Sequence, residues 1–270
     1  MLRNEGKKLK KVIVCSPIYE YFNVTDLKAQ NMNEIADREK TQQQFNVLKS
    51  TIAQSGCEVF DVPELPNHPN SIFTRDVALS TPQGYIRLRM GLMARRGEED
   101  WISDVLETLG EPCIGEITNP GTVEGGDIIV AGSVAFVGQS TRTNAEGVRQ
   151  VSNILRKMNY QVRVAQVKDF SLHLGGMMSA IGPERILCCR KTFPNDYFNG
   201  YDTVEIDCNG PSHGNVICLD ENKVIANSAE NMETIKKLEN NGVTVHAIDL
   251  SEFRKGAGGP TCLILPVERE

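Results

Sequence analysis

The sequence predicts an α/β fold: five ββαβ units around a pseudo-fivefold axis, an α/β propeller closed by pairing of the two chain ends. Three observations lead there. A strand, tight turn, strand, helix, strand pattern recurs along the 270 residues. First strands begin near residues 73, 127, 172, 215 and 261, a spacing in the range of propeller-like repeats. The pieces that would make the fifth unit are divided between the ends of the chain.

In order, "IFTRDVALS", the turn "TPQG", "YIRLRM", the helix "GEEDWISDVLETLG" and "CIGEI" make one unit. "DIIV", "AGS", "VAFVG", the helix "NAEGVRQVSNILRKM" and "QVRVAQV" make the next. "LHLGGMMSAIG", "PERILCCR" and "TVEIDC" frame a third, whose helix is the least defined. "NVICL", "DEN", "KVIANS", the helix "AENMETIKKLENNG" and "VTVHAID" make a fourth. For the last, "TCLILPV" supplies the first strand, and "KVIVCSP", the helix "REKTQQQFNVLKSTIAQSG" and "CEVFDV" the rest. Apolar residues at i, i+3 and i+4 suit helices lying on a sheet, and several of them end in glycine, a common helix stop. With neither a linker nor low-complexity sequence, residues 1–270 read as a single domain.

Composition excludes several classes. The formal charge is 29 − 35 = −6, which disfavours a general role on nucleic acid or an anionic membrane. The longest nearly apolar stretch, "IIVAGSVAFVG", is too short and glycine-interrupted to span a bilayer. The basic start, "MLRNEGKKLKKVIVCSP", has only "VIVC" as its apolar piece and reads as a first strand, not a signal peptide. A cytoplasmic chain with reduced thiols is the expectation. Eight cysteines, at 15, 57, 113, 188, 189, 208, 218 and 262, form no CxxC pair. Seven read as small buried hydrophobes. The spacing of Cys208, His213 and Cys218 matches no structural zinc pattern, so no metal is expected.

The eighth cysteine is different. "GGPTC" delivers Cys262 to the start of an apolar run through a flexible turn. At or near the other first-strand starts stand Arg75 and Asp76, Glu124 and Asp127, His173, and Asn215. In a radial fold these positions converge on one mouth of the central channel. A thiol with a histidine is a nucleophile with its proton carrier. Carboxylates crowded beside a thiolate would repel it unless a cation sits among them. A guanidinium fits that place, being planar, rich in N–H donors and suited to bidentate pairing with carboxylates. Held by Asp76 and Glu124, it would present its central carbon to Cys262, while His173 protonates the departing amine. Water activated by the same histidine would then release a ureido product.

Four segments, "NPGTVEGGDIIVAG…FVGQSTRTNAEGVRQ", "MARRGE", "LHL" and "SEFRKGAGGPTCLIL", resemble the bacterial dimethylarginine dimethylaminohydrolases of the guanidine-modifying superfamily, which includes arginine deiminase. The resemblance covers nearly the whole chain. It implies a five-bladed α/β propeller (the pentein fold), no metal or organic cofactor, and a covalent thiouronium intermediate. Residue by residue it implies Cys262 as nucleophile, His173 as general acid and base, and Glu124 and Asp76 as guanidinium partners. Arg95 and Arg142 match the arginines that bind the substrate's α-carboxylate, and Asn70 and Asp127 complete the expected substrate-binding set. A small guanidino compound is the expected partner, and a homodimer is one assembly the resemblance admits.

Two departures bear on the substrate. Where that family typically reads P-D-x-x-F-V-E-D, this chain has "PNSIFTRD", so Asn70 and Arg75 replace acids, and "FTRD" is the deiminase spelling. Deiminases usually follow the histidine with H-x-D, whereas here Gly175 takes the acid's place. The expectation is therefore hydrolysis of N-methylated arginine or arginine to citrulline. Arginine deimination and amidino transfer are the alternatives, and a non-catalytic propeller of the ribosome anti-association type is a more distant one.

Overall fold

The computed structural model describes residues 4–208, 210 and 212–270; the first three residues of the basic start lie outside that set. Among the described residues there are five three-stranded sheets. In the first, β1 (Leu9–Cys15) runs antiparallel to β15 (Leu265–Arg269) and parallel to β2 (Glu58–Val62), so the two ends of the chain share one blade. The next blades are β3 (Ala78–Thr81), β4 (Gly84–Arg87) and β5 (Cys113–Glu116), then β6 (Ile128–Ala131), β7 (Val134–Gln139) and β8 (Gln161–Gln166). They are followed by β9 (Met178–Gly182), β10 (Arg185–Cys188) and β11 (Asp202–Glu205), then β12 (Val216–Asp220), β13 (Lys223–Asn227) and β14 (Thr244–Ile248). Every blade pairs its first two strands antiparallel and its last two parallel, which is the expected ββαβ topology.

Helices α1 (Arg38–Gln54), α2 (Glu98–Thr108), α3 (Ala145–Lys157) and α4 (Met232–Asn240) make four of the parallel crossovers. Side chains cap two of them: Asp37 accepts from Lys40 N and Asn144 from Gly147 N, satisfying amides a helix start leaves open. Gly56 and Gly110 end α1 and α2 with φ of +83° and +82°, where a Cβ would be strained. Between β10 and β11 the described residues form no α-helix. "TFPNDYFNG" is rich in turn formers, and Phe193, Tyr197 and Phe198 pack there on each other and on Phe136.

Two expectations need correction. Most first strands begin later than their apolar text, because the chain first makes single 3-10 turns at Thr74–Asp76, Gly125–Asp127, Leu174–Gly176 and Pro260–Leu263. The cysteines are not all reduced core thiols either. Cys189 and Cys208 are paired, with Cα atoms 5.4 Å apart, and Cys113 is exposed. The register Cys188↔Glu205 brings the ends of β10 and β11 together and sets that pair side by side. The remaining free thiols at 15, 57, 188 and 218 are buried. No described helix is long and apolar enough to cross a membrane.

Candidate active site

The 3-10 turns that delay the strands are what place the chemistry. Asp76 lies in one turn, Glu124 and His173 immediately precede two others, and Cys262 lies in the fourth. All four line one small cavity with Asn70, Arg95, Arg142 and Phe73, and a loop bearing Gln30 and Asn31 contributes to its wall. Close approach explains two glycines. A Cβ on Gly126 would lie 2.7 Å from His173 Nδ1 and 2.9 Å from Asp76 Oδ1, and one on Gly258 would lie 2.2 Å from Phe73 Cε1. Phe73 is held from behind: Tyr21 meets it edge-on at 5.9 Å and stacks on Phe253 of α5 (Ser251–Lys255). Each buried aromatic ring of this kind stabilises the fold by about 1.5–3 kcal/mol, so the turn before Cys262 rests on a firm floor.

A hydrogen-bonded chain of charges surrounds the imidazole. His173 Nε2 is 2.8 Å from Glu124 Oε2, and its Nδ1 is 3.9 Å from Asp76 Oδ1. Glu124 Oε1 accepts from the Gly91 and Leu92 amides at 3.0 and 3.2 Å, and Arg142 Nη1 lies 3.8 Å from it. Asp76 accepts from Arg95 Nη1 at 2.6 Å and from the Gly126 amide at 3.1 Å. The Gly259 amide donates to Cys262 Sγ at 3.4 Å.

These contacts set the protonation states. Burial alone would strip the proton from His173, but Asp76, Asp127 and the bond to Glu124 outweigh it and hold the imidazolium up at about 9. Burial opposes charge on Glu124, yet the His173 bond, with Arg95 and Arg142, holds that carboxyl down at about 2. Cys262 is half-buried, and burial followed by the Asp76 charge pushes its thiol up to about 11, against the pull of the Gly259 amide. The resting site is therefore a neutral thiol beside a protonated imidazole and an ionised Glu124. Asp76, Glu124 and His173 also have donor atoms within 4.8 Å of one another, a spacing a metal ion could span. A metal would have to displace the proton that His173 holds so firmly.

The remaining residues singled out by sequence divide. Arg142 reaches the cavity with one looser ion pair at 3.8 Å. Arg95 is held on two sides: Nε and Nη2 bond Glu98 at 2.9 and 2.7 Å, Nη1 bonds Asp76, and Nη2 also reaches the Phe73 carbonyl. Its Nη1 thus orients Asp76, and these bonds use four of the five N–H groups, leaving one on Nη1. Asp127 is wholly buried, accepting from Leu174 N at 2.9 Å and Ser140 Oγ at 2.6 Å, and it fixes the turn after His173. Asn70 Nδ2 donates to the Gln30 carbonyl and side-chain oxygens, both at 3.0 Å, tying down that loop. Arg75 turns away from Asp76 to Glu5 at 2.8 Å and the Ile128 carbonyl at 2.6 Å. Sequence reasoning missed Gln30, Asn31, Phe73 and Glu98; the "AQNMN" segment carries no periodicity to mark it as part of the cavity wall.

With this geometry in view, three comparisons fit together. The dimethylaminohydrolase of Pseudomonas aeruginosa named for N(G),N(G)-dimethylarginine is 29% identical over 229 residues, 85% of this chain and 89% of that protein. An uncharacterized protein of Aeropyrum pernix is 29% identical over 234 residues, covering 85% and 84%. A crystal structure of the Pseudomonas enzyme, a cysteine-to-serine variant complexed with citrulline, superposes with a TM-score of 0.83 at 27% identity over 96% of this chain and 99% of that one. A family profile described as N,N dimethylarginine dimethylhydrolase, eukaryotic, matches residues 20–269, and the chain belongs to that family.

Proposed function

We propose that the protein hydrolyses the guanidino group of N-methylated arginine, giving citrulline and an alkylamine through a covalent intermediate on Cys262. The observation that carries this reading is the shared cavity of Cys262, the His173 imidazolium and the Glu124 and Asp76 carboxylates. A guanidinium held between the carboxylates brings a positive charge beside the thiol and favours its ionised form. The thiol gives its proton to solvent, the thiolate attacks the guanidino carbon, and an S–C bond forms. His173 gives its proton to the leaving methylamine or dimethylamine as that C–N bond breaks. Water then adds to the thiouronium carbon and leaves its proton on His173. As the C–S bond breaks, the hydroxyl proton passes to the sulfur, which restores the resting thiol and releases citrulline. Proton transfers of this kind contribute about a hundred- to ten-thousandfold in rate.

Arg142 supports an α-amino acid substrate, since it is the cation at the cavity wall with the least committed guanidinium. A cytoplasmic location and a homodimer belong to the same proposal, the latter checked by sedimentation. The test of function is a panel of monomethylarginine, asymmetric dimethylarginine, arginine and agmatine, assayed for ureido product without any acceptor amine. Citrulline from the methylated substrates supports hydrolysis, with none formed by Cys262→Ser. Product only when an acceptor amine is added would assign amidino transfer instead.

A further inference from the structure

Asn215 stands at a first-strand start like the four cavity residues, yet it lies outside the cavity wall. It is 4% exposed, just ahead of β12, with its backbone amide bonded to the Ser212 carbonyl at 3.0 Å. Its side chain makes a reciprocal pair with one residue. Nδ2 donates to Thr261 Oγ1 at 2.8 Å, and Oδ1 accepts from the Thr261 amide at 2.9 Å. Thr261 immediately precedes Cys262 on the Pro260–Leu263 turn. The amide group also packs closely on Gly259, where a Cβ would lie 2.8 Å from Asn215 Cγ and 3.0 Å from its Oδ1. Gly259 is the residue whose amide donates to Cys262 Sγ and whose carbonyl accepts from the Cys262 amide at 3.1 Å.

The two glycines before Pro260 give this turn little stiffness of its own, because glycine explores more backbone conformations than any other residue. Asn215 therefore clamps it at Gly259 and Thr261, just ahead of the nucleophile, while Phe73 packs against Gly258.

Resting on the reading of Cys262 as nucleophile, we propose that Asn215 is a positioning residue for this reaction: through Thr261 and Gly259 it fixes where the sulfur points and keeps the Gly259 amide aimed at it. The donor to sulfur favours the thiolate over the thiol. Neither Asn215 nor Thr261 lines the substrate cavity, so loosening the clamp acts on the sulfur and leaves the carboxylates that grip the substrate unchanged.

The experiment compares Thr261→Ser, which keeps the hydroxyl, with Thr261→Val and Asn215→Ala, which break the pair. Two readouts are taken: steady-state kcat and KM for monomethylarginine, and the pH dependence of Cys262 alkylation by chloroacetamide, followed by peptide mass. Misplacement of a reacting group by about 1 Å can cost about a hundredfold. Thr261→Val and Asn215→Ala should lose about ten- to a hundredfold in kcat with KM held within about twofold. In both, the alkylation profile should move to higher pH, and Thr261→Ser should behave as wild type. Unchanged kcat and an unmoved profile in folded Thr261→Val would overturn the assignment. So would equal losses in Thr261→Ser and Thr261→Val. Because alkylation reads the thiol itself, an active Cys262→Ser would sink the nucleophile reading separately, without disturbing what the profile says of Asn215.

Discussion

The resting state of Cys262 yields a quantitative test. With its thiol pushed up to about 11, against an ordinary 9.0, about one molecule in ten thousand carries a thiolate at pH 7, rather than about one in a hundred. Alkylation by neutral chloroacetamide should thus be about a hundredfold slower than for an ordinary thiol, rising about tenfold per pH unit up to pH ~10. A cation in the cavity reverses this. One unit charge about 4 Å from sulfur, at an effective dielectric of about 20, stabilises the thiolate by about 4 kcal/mol, equivalent to about three pKa units. The thiol of the liganded site should then titrate well below the resting one. Chloroacetamidine carries that cation and is nearly the same shape as chloroacetamide. Their rate ratio on Cys262, read by peptide mass and divided by the ratio for a small free thiol, should exceed about a hundred. A chloroacetamide profile already flat above pH ~7 would mean a resting thiolate, and a normalised ratio near one would mean that a cation does not activate the sulfur. Either result refutes the charge argument.

Arg142→Ala should lower kcat/KM for monomethylarginine by about 10- to 150-fold, the worth of a charge-assisted bond, and leave agmatine nearly unaffected because it lacks the carboxylate. Equal losses on both would make Arg142 structural. Asn70→Asp removes the donor that holds two Gln30 oxygens and faces them with a negative charge, so KM should rise about tenfold or more and the monomethylarginine-to-arginine ratio of kcat/KM should shift; a ratio and KM that stay put would show that the tie does not shape the site. Because the His173 pKa is raised above its ordinary 6.5, its stabilising contribution is complete below that value and is lost as pH rises through about 9. The depressed Glu124 contributes above 4.5 and fails as pH falls through about 2. The melting temperature should therefore fall between about pH 7 and 10 more steeply in wild type than in His173→Gln, and parallel slopes would contradict the assigned pair.

Much of this site could be read in the text because the repeat itself carries the information. Cys262, His173, Glu124 and Asp76 each stand at the head of a blade, and a radial fold leaves such positions nowhere to go but one mouth. Side-chain direction was less legible. Arg75 and Asp76 are neighbours, yet a 3-10 turn aims one at Glu5 in the channel and the other at the cavity, a split that strand periodicity does not encode. The bonds of Arg95 to Asp76 and to Glu98 were no more legible, since they join one 3-10 turn to the start of α2. Asn70 was visible as a departure from an acid, but its partner Gln30 sits in a segment with no apolar period. The Cys189–Cys208 pair depends on strand register, a property of β10 and β11 together and of neither segment alone.

The central claim is a sulfur–carbon bond to Cys262 that keeps the substrate's carbon chain and has already lost the leaving amine. Acid quenching during turnover, followed by peptide mapping, measures it directly. Monomethylarginine, asymmetric dimethylarginine and arginine differ only in the amine that departs, so each that turns over should leave an adduct of identical mass on Cys262. An adduct that retains the methyl groups, one found on another cysteine, or turnover with no adduct at Cys262 would contradict the account.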